Sequence, residues 1–295
     1  MQNKVVVFDV GTNNVQILLA DIFEGKVLTR QRFSEVSALG KDMKNRYLSE
    51  DALKRFYAII DSYMPVCKSF SNNIIIAGTS CSRDALNISL IKNYLEEKHS
   101  LIYRILSSEE EAFYNGLANA DEFQDELFVT FDIGVGSTEF SLIENHQVKD
   151  LFSLDLGIRR LNNKYQGDFK WMETETDSLL AQIPPLFLKK CPLVGIGGTV
   201  ANISAVKQGL KEYSSEKVHQ SVLTLQDIVS FIDCFKTMSF EEISEKMPFE
   251  PQRAEIIGTG LMIILKIMIL FKVEQIKVSD HGLMYGIAHE FLNPA

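Results

Sequence analysis

Two short stretches of this chain end an apolar strand in aspartate and follow it with glycine and small polar residues: 8-FDVGTNN-14 and 131-FDIGVGSTE-139. Phe8, Asp9 and Gly11 of the first align with Phe131, Asp132 and Gly134 of the second. Glycine in such a turn lets backbone N–H groups approach an anion closely, and neighbouring Ser, Thr and Asn add donors. An aspartate at the strand end supplies hard oxygen for Mg²⁺, directly or through water. A third glycine-rich stretch, 195-GIGGTVAN-202, enters a helix whose N-terminal amides also favour anions. One such turn alone is most often only a tight turn. Three of them, two in near-repeat, point to a cleft for phosphate and metal in which two hairpins grip the anion from both sides.

The elements that must position these turns repeat as well. KVVVFDV, VQILLADI and KVLTRQRFSEV read as three strands joined by the turns GTNN and FEGK. A helix follows over 49–64, with Ser49 as N-cap and Leu53, Phe56, Tyr57, Ile60 and Met64 on one face. Strand 74–79, helix 82–97, strand 102–106 and helix 109–120 complete a βββαβαβα run. The pattern then restarts with LFVTFDI, TEFSLIE and VKDLFSL. A helix around 174–183, strand 193–196, helix 198–206, a helical stretch over 225–271, strand 275–280 and a closing helix follow. The same order with the same Asp-Gly turn indicates an internal duplication. The expectation is an α/β chain of two domains, residues 1–123 with the C-terminal helix 283–295 and residues 124–282.

A chain of 295 residues, 46% hydrophobic and 23% charged, buries a sizeable core and has the composition of a soluble globular protein. Its net charge of −9 weighs against non-specific nucleic-acid binding, although a cleft can still be locally positive. Cys67, Cys81, Cys191 and Cys234 show no CxxC spacing, which argues for a reducing compartment and against a disulfide frame or zinc site. The apolar run of MQNKVVVFDV is too short for a signal peptide, and 256-IIGTGLMIILKIMILF-271, which carries Lys266, falls short of a membrane span. A cytoplasmic protein with no membrane partner is expected. The five histidines are dispersed, none at metal-ligand spacing from another. Trp171, Phe187 and 261-LMIILKIMILF-271 read as core; the apolar final helices pack internally or against a second copy, which leaves a homodimer open.

Taken in order, the motifs resemble those of the exopolyphosphatase and guanosine pentaphosphate phosphohydrolase (Ppx/GppA) family, within the superfamily of acetate and sugar kinases, heat-shock ATPases and actin. The family's opening Asp-x-Gly-Ser-Asn-Ser turn is matched by 9-DVGTNN-14, its Thr-Ser-Ala-x-Arg-x-Ala-x-Asn by 79-TSCSRDALN-87, and its Ser-Gly-x-Glu-Glu-Ala by 107-SSEEEA-112. Its Asp-Ile-Gly-Gly-Gly-Ser-Thr-Glu is matched by 132-DIGVGSTE-139. The stretches 154-LDLGIRRL-161, 195-GIGGTVANISA-205, 251-PQRAEII-257 and 278-VSDHGLMYG-286 resemble later signatures. Longer relatives carry a helical domain with a His-Asp pair; this chain has no His-Asp dipeptide and resembles the short, two-domain form.

The resemblance implies duplicated ribonuclease H-like (actin-like ATPase) domains with an interdomain cleft, and Mg²⁺-dependent release of terminal orthophosphate from inorganic polyphosphate or guanosine pentaphosphate. It implies that Glu110, the first Glu of Glu-Glu-Ala, is the base. A carboxylate beside a polyphosphate has its pKa raised by the like charges, towards a range useful for proton transfer. Glu109 and Glu111 lie about 100° to either side on the same helix and read as an acidic first turn favoured by the dipole. Glu110→Gln is therefore expected to keep binding and lose turnover roughly 10²–10⁴-fold. Asp132 and Glu139 are implied as metal-linked or water-positioning groups, Asp9 as the mirror of Asp132, and Arg83 as a phosphate-binding arginine. Amides near Gly134, Gly136, Ser137 and Thr138 would hold the transferred phosphate, Thr12 and Asn13 would hold it from the other side, and Gly197, Gly198 and Thr199 would close the third edge.

The chain departs from the family at Val135, Ser108, Thr12, Asn14, Met284 and Tyr285. If residue 135 needs positive φ, valine is strained there by roughly 1–2 kcal/mol; if φ is negative, valine fits. Two other functions stay open on the sequence: a catalytically weak polyphosphate- or nucleotide-binding regulator, and a kinase or ATPase of the wider superfamily.

Overall fold

The structure, a computed structural model, describes residues 3–41 and 43–292, so residues 293–295 of the expected closing segment lie outside the described residues. The chain divides into two compact units, Met1–Tyr114 with Leu283–Ala295, and Asn115–Gly282.

In the first unit β1 (Asn3–Val10), β2 (Asn14–Phe23) and β3 (Lys26–Val36) run antiparallel. Helix α1 (Glu50–Phe70) leads to β4 (Ile74–Gly78), which pairs parallel with β1. Helices α2 (Ser80–Asp84) and α3 (Ser89–His99) lead to β5 (Tyr103–Ile105), and α4 (Ser108–Leu117) follows. The strand order is β3-β2-β1-β4-β5.

The second unit repeats the plan. Strands β6 (Leu127–Ile133), β7 (Thr138–Glu144) and β8 (Gln147–Leu154) are antiparallel, and helices α5 (Ile158–Tyr165) and α6 (Phe169–Leu180) lead to β9 (Leu193–Ile196), parallel to β6. Then come α7 (Gly197–Lys207), α8 (Ser215–Val218), β10 (Val222–Thr224), α9 (Leu225–Phe235), α10 (Phe240–Lys246), a 3₁₀ turn over Pro251–Glu255, α11 (Ile257–Phe271) and β11 (Gln275–Val278). The order β10-β11-β9-β6-β7-β8 contains the first sheet's order with β10 added at one edge. Two copies of a sheet with three antiparallel strands continued by two parallel ones give the duplicated ribonuclease H-like, actin-like ATPase fold. Helix α12 (Leu283–His289) returns to the first unit and packs against β1, β2 and β3.

Burial explains the apolar runs. Val5, Val6, Val7 and Phe8 are all fully buried, as expected for a strand covered on both faces. Val6, Phe8 and Val10 join Phe56, Ile60 and Met64 of α1 in one core. The other core gathers Phe131, Phe140, Leu193 and Val200 around Leu261, Ile264 and Ile267 of α11. Among the described residues no helix is long and apolar enough to cross a membrane.

Several expectations need correction. The single helix over 82–97 is two, because Asn87 is pulled out of it: its side chain donates to the Leu48 carbonyl at 3.0 Å and accepts from the Leu48 amide at 2.9 Å. Helix α1 continues through Pro65 to Phe70 instead of stopping at Met64. The division between the compact units falls after Tyr114, and the last turn of α4, from Asn115, packs in the second unit. There Asn115 donates to Asp132 at 3.0 Å, and a Cβ on Gly116 would lie 2.9 Å from that of Ser141. Trp171 is 58% exposed while Phe187 is fully buried. The buried face of α6 is Met172, Thr176 and Leu180, and Trp171 points about 100° away from it.

Helix α12 lies so close to α4 that a Cβ on Gly286 would sit 2.0 Å from the Tyr114 carbonyl oxygen. Replacing an ordinary helical glycine by alanine gains up to about 1 kcal/mol. Here overlap with a backbone atom outweighs that gain, and Gly286→Ala is expected to lower stability by about 1–3 kcal/mol, read from the urea midpoint. An unchanged or raised midpoint would contradict the close crossing.

Candidate active site

Both hairpin turns are built alike. The Gly134 amide donates to the Ser137 carbonyl and the Gly11 amide to the Asn14 carbonyl, each at 2.9 Å, so the tips are Val135-Gly136 and Thr12-Asn13. In the second unit the Gly134 carbonyl accepts from the Ile158 amide at 3.2 Å, and that of Val135 from the Arg159 amide at 3.1 Å. The Gly136 carbonyl accepts from Arg160 Nε at 2.8 Å. All three carbonyls therefore turn towards the start of α5. Every peptide here is trans, so the Val135, Gly136 and Ser137 amides point the opposite way and present three donors to one side. The first unit does the same with different partners. The Thr12 carbonyl accepts from the Gly40 amide at 2.9 Å and the Asn13 carbonyl from the Ala38 amide at 2.7 Å. The Gly11 carbonyl accepts from Cys81 Sγ at 3.7 Å. Burial pushes that thiol up to about 11, which keeps it a neutral donor.

Close backbone approach makes this possible. A Cβ on Gly157 would lie 2.3 Å from the Gly136 carbonyl carbon, and one on Gly40 would lie 2.4 Å from the Thr12 methyl. Val135 has negative φ, so the departure from the family's glycine carries no left-handed strain.

The third turn opens α7. Gly197 has φ +81°, and a Cβ there would meet Asp132 Oδ1 at 2.2 Å, so both conformation and space demand glycine. Its N-cap, Ile196, offers no side-chain hydrogen bond to the helix, and Thr199 Oγ1 is buried with no hydrogen-bond partner among the described residues. Arg253 lies over Gly198, where a Cβ would be 2.1 Å from its Nη2, and pairs with Glu250 at 2.7 Å. Glu250 in turn accepts from Asn202 of α7 at 2.6 Å. Open helix amides with a guanidinium alongside are groups that can hold an anion.

Asp132 and Glu139 stand directly opposite one another across the β6–β7 ladder, so both side chains project from the same face of the sheet. Glu139 is 2% exposed, and Ser153 Oγ donates to its Oε1 at 3.3 Å. At the equivalent position of the first unit, Asp9 faces Gln16. The paired carboxylates thus exist in only one of the two copies.

The acidic helix start places its glutamates in different surroundings. The Ser107 amide donates to Glu110 Oε2 at 2.8 Å and the Glu110 amide to Ser107 Oγ at 3.1 Å. That reciprocal pair is a capping box, so Glu110 closes the N-terminus of α4. Its other carboxylate oxygen lies 3.6 Å from Arg104, and the side chain is 46% exposed. Glu111 is the buried one, 14% exposed, accepting from Arg83 Nη1 at 2.8 Å. Burial pushes its carboxyl above the ordinary range, against the lowering pull of Arg83. Arg83 Nη1 also donates to the Leu106 carbonyl at 2.9 Å.

Of the residues singled out in the sequence, Gly134, Gly136 and Ser137 form one amide-presenting turn and Thr12 and Asn13 the other, while Gly197, Gly198 and Thr199 open α7. Thr138 serves differently: it is fully buried and its hydroxyl donates to the Leu156 carbonyl at 2.5 Å, tying the chain after β8 to the turn. Sequence reading missed Gly40, Gly157, Glu111 and Arg253. Gly157→Ala is expected to cost about 1–3 kcal/mol of stability, because only backbone atoms could yield, and to weaken tripolyphosphate binding by calorimetry. Unchanged binding would show that the turn amides are not the ligand.

The comparisons with known proteins fit this arrangement. The Ppx/GppA phosphatase family matches residues 16–294. A crystal structure of an Aquifex aeolicus member of the Ppx/GppA family superposes with a TM-score of 0.84 at 26% identity, covering 98% of this chain and 97% of that one. Exopolyphosphatase 2 of Mycobacterium tuberculosis is 25% identical over 312 residues, 97% of each chain. A bifunctional 3-dehydroquinate synthase/phosphatase of Fusobacterium nucleatum is 27% identical over 302 residues, 94% of this chain and 45% of that protein, so the chain spans about half the length of that relative. Matched along nearly all of its length, the chain belongs to the Ppx/GppA phosphatase family.

Proposed function

We propose that this member hydrolyses terminal phosphoanhydride bonds, releasing orthophosphate from inorganic polyphosphate, with guanosine pentaphosphate as a second substrate carrying the same bond. The observation that carries this reading is Glu111, a buried carboxylate with a raised pKa, held by an arginine at the start of α4. Burial that raises a carboxyl above its ordinary range strengthens it as a proton acceptor. The turn amides and the open end of α7 supply fixed dipoles for phosphoryl oxygens, and Arg253 adds a guanidinium. The 25% identity to a protein named Exopolyphosphatase 2 supports polyphosphate as substrate.

Asp132 and Glu139 fit a hard divalent cation such as Mg²⁺, because two carboxylates project from one face of the sheet; bound there, it would neutralise phosphate charge. Asp9, opposite Gln16, offers one carboxylate where the other pair offers two, and the cation is assigned to the second unit. In the chemical step Glu111 takes a proton from water, the water oxygen bonds to the terminal phosphorus, and the bridging oxygen leaves with the shortened chain. Arg83 holds the Glu111 carboxylate in place and keeps its pKa from rising further.

The test measures phosphate release from long polyphosphate, short polyphosphate and guanosine pentaphosphate with Mg²⁺. Glu111→Gln is expected to lower kcat roughly 10²–10⁴-fold, about 3–5 kcal/mol of barrier. Glu110→Gln should keep its turnover and lose only a cap's worth of stability, about 0.5–2 kcal/mol. The reverse ranking would move the base back to Glu110. Tight polyphosphate binding without release would favour a regulator, and ATP outpacing polyphosphate would favour a kinase-like enzyme.

The raised pKa also fixes the sign of two pH effects. Glu111 acts when ionised, so the rate falls as pH drops through the raised value, and Arg83→Met moves this acid limb to higher pH. Stability runs the other way: a carboxyl raised in the folded state favours folding in its protonated form. That contribution is complete below the unfolded value and is lost as pH rises through the folded one. Glu111→Gln should abolish both the acid limb and this loss; an acid limb that survives the substitution belongs to another group.

A further inference from the structure

The dispersed histidines of the sequence do meet in the fold. His219, between α8 and β10, and His281, after β11, stack with ring centroids 4.0 Å apart and planes 18° from parallel. Glu122, from the segment after α4, reaches both: its Oε2 lies 3.4 Å from His219 Nε2 and its Oε1 lies 3.2 Å from His281 Nδ1. The donor atoms of all three residues fall within 4.8 Å of one another. The three come from distant parts of the second unit, and none belongs to the glycine turns or the Asp132–Glu139 pair.

We propose that Glu122, His219 and His281 form a binding site for a zinc-class divalent ion, separate from the phosphate chemistry. Two imidazole nitrogens and one carboxylate are the donor set of borderline-soft ions, whereas Mg²⁺ prefers oxygen alone. Bonds of about 2.0–2.2 Å in tetrahedral geometry put neighbouring donors about 3.3 Å apart. The two Glu122–histidine separations, 3.4 Å at Oε2 and 3.2 Å at Oε1, are close to that spacing, and the stacked rings must turn for both nitrogens to face one ion. An ion would take the place of the direct contacts between Glu122 and the two imidazoles, leaving a fourth position for water.

The surroundings hold the donors from behind. Asn119 Nδ2 donates to the His281 carbonyl at 2.8 Å, and Gln220 Nε2 to the Glu122 carbonyl at 3.1 Å. Ser279 Oγ lies 3.4 Å from His219 Nδ1 and accepts from the His281 amide at 3.1 Å. With metal on Nε2 the imidazole proton sits on Nδ1, where Ser279 Oγ accepts it. The Asp280 amide now approaches the same nitrogen at 3.3 Å and would have to release it. The side chains of His219, His281 and Glu122 are 14%, 20% and 35% exposed, which leaves a path for entry. The effect of the ion would be to staple three chain segments of one unit, raising its melting temperature through linkage.

The experiment uses the full chain, stripped with a chelator and titrated with Zn²⁺ by calorimetry without any phosphate compound, with Co²⁺ absorption as a second readout. One ion per chain is expected, together with a Co²⁺ spectrum of low coordination number and a higher melting temperature. Glu122→Gln and the double variant His219→Gln/His281→Gln should abolish the high-affinity site, and Ser279→Ala should weaken it roughly 10–100-fold. Cys234→Ser, which removes the exposed thiol, should leave it intact. Three results would overturn the proposal: no Zn²⁺ bound by the wild type, equal binding by the double variant, or loss of binding with Cys234→Ser. Because wild-type stoichiometry and the Co²⁺ spectrum need no variant, a substitution that fails to fold leaves the test standing.

Discussion

The geometry of both hairpin turns depends on where their carbonyls go. A turn whose carbonyls faced the ligand side would repel phosphate; here they are taken up by the start of α5 in one unit and by Ala38, Gly40 and Cys81 in the other. Planar trans peptides then put the amides on the opposite side, with no further device needed. The requirement falls on glycines outside the turns. Gly157 and Gly40 are the points where a second segment comes into contact with the turn, and neither position has room for a Cβ. The glycines inside the turns keep the tip small, while those outside it set its polarity.

The same logic separates the two neighbouring glutamates of α4. A helix start leaves four amides without intrahelical partners, and Ser107 with Glu110 satisfies two of them reciprocally. That role turns Glu110 outward. One residue on, the helical advance of about 100° takes Glu111 into the protein, where only Arg83 offers compensation. Desolvation and ion pairing act on Glu111 in opposite directions, and desolvation is the larger.

Duplication supplied two copies of one scaffold, and the copies have diverged in chemistry. Each presents turn amides, but only the second sets two acidic side chains opposite one another, Asp132 with Glu139, where the first has Asp9 with Gln16. The second also carries the glycine-led helix α7 with Arg253 beside it. The buried acid–arginine pair, by contrast, lies in the first. Amide-presenting turns are therefore common to both units, the facing carboxylates occur in the second and the Arg83–Glu111 pair in the first.

Much of this was legible in the amino acids alone. Alternating and continuous apolar runs, Asp-Gly turns and capping residues act locally, so the order of elements along the chain, the duplication and the glycine turns could be read from spacing, while the acidic pair came from the family resemblance. The capping box was also visible, since Ser107-x-x-Glu110 is its pattern, but it was not read from the sequence. Other features had no local signal. Asn87 breaks a helix because of Leu48, far away in sequence, and Gly157 matters because of Gly136. Arg253 becomes an anion group only by lying over Gly198, and His219 and His281 become a pair only through the packing that brings β10 beside β11. Short-range order follows from the chemistry of adjacent residues, whereas burial, pKa and the meeting of distant side chains are set by which segments share a volume. Only the tertiary structure decided those.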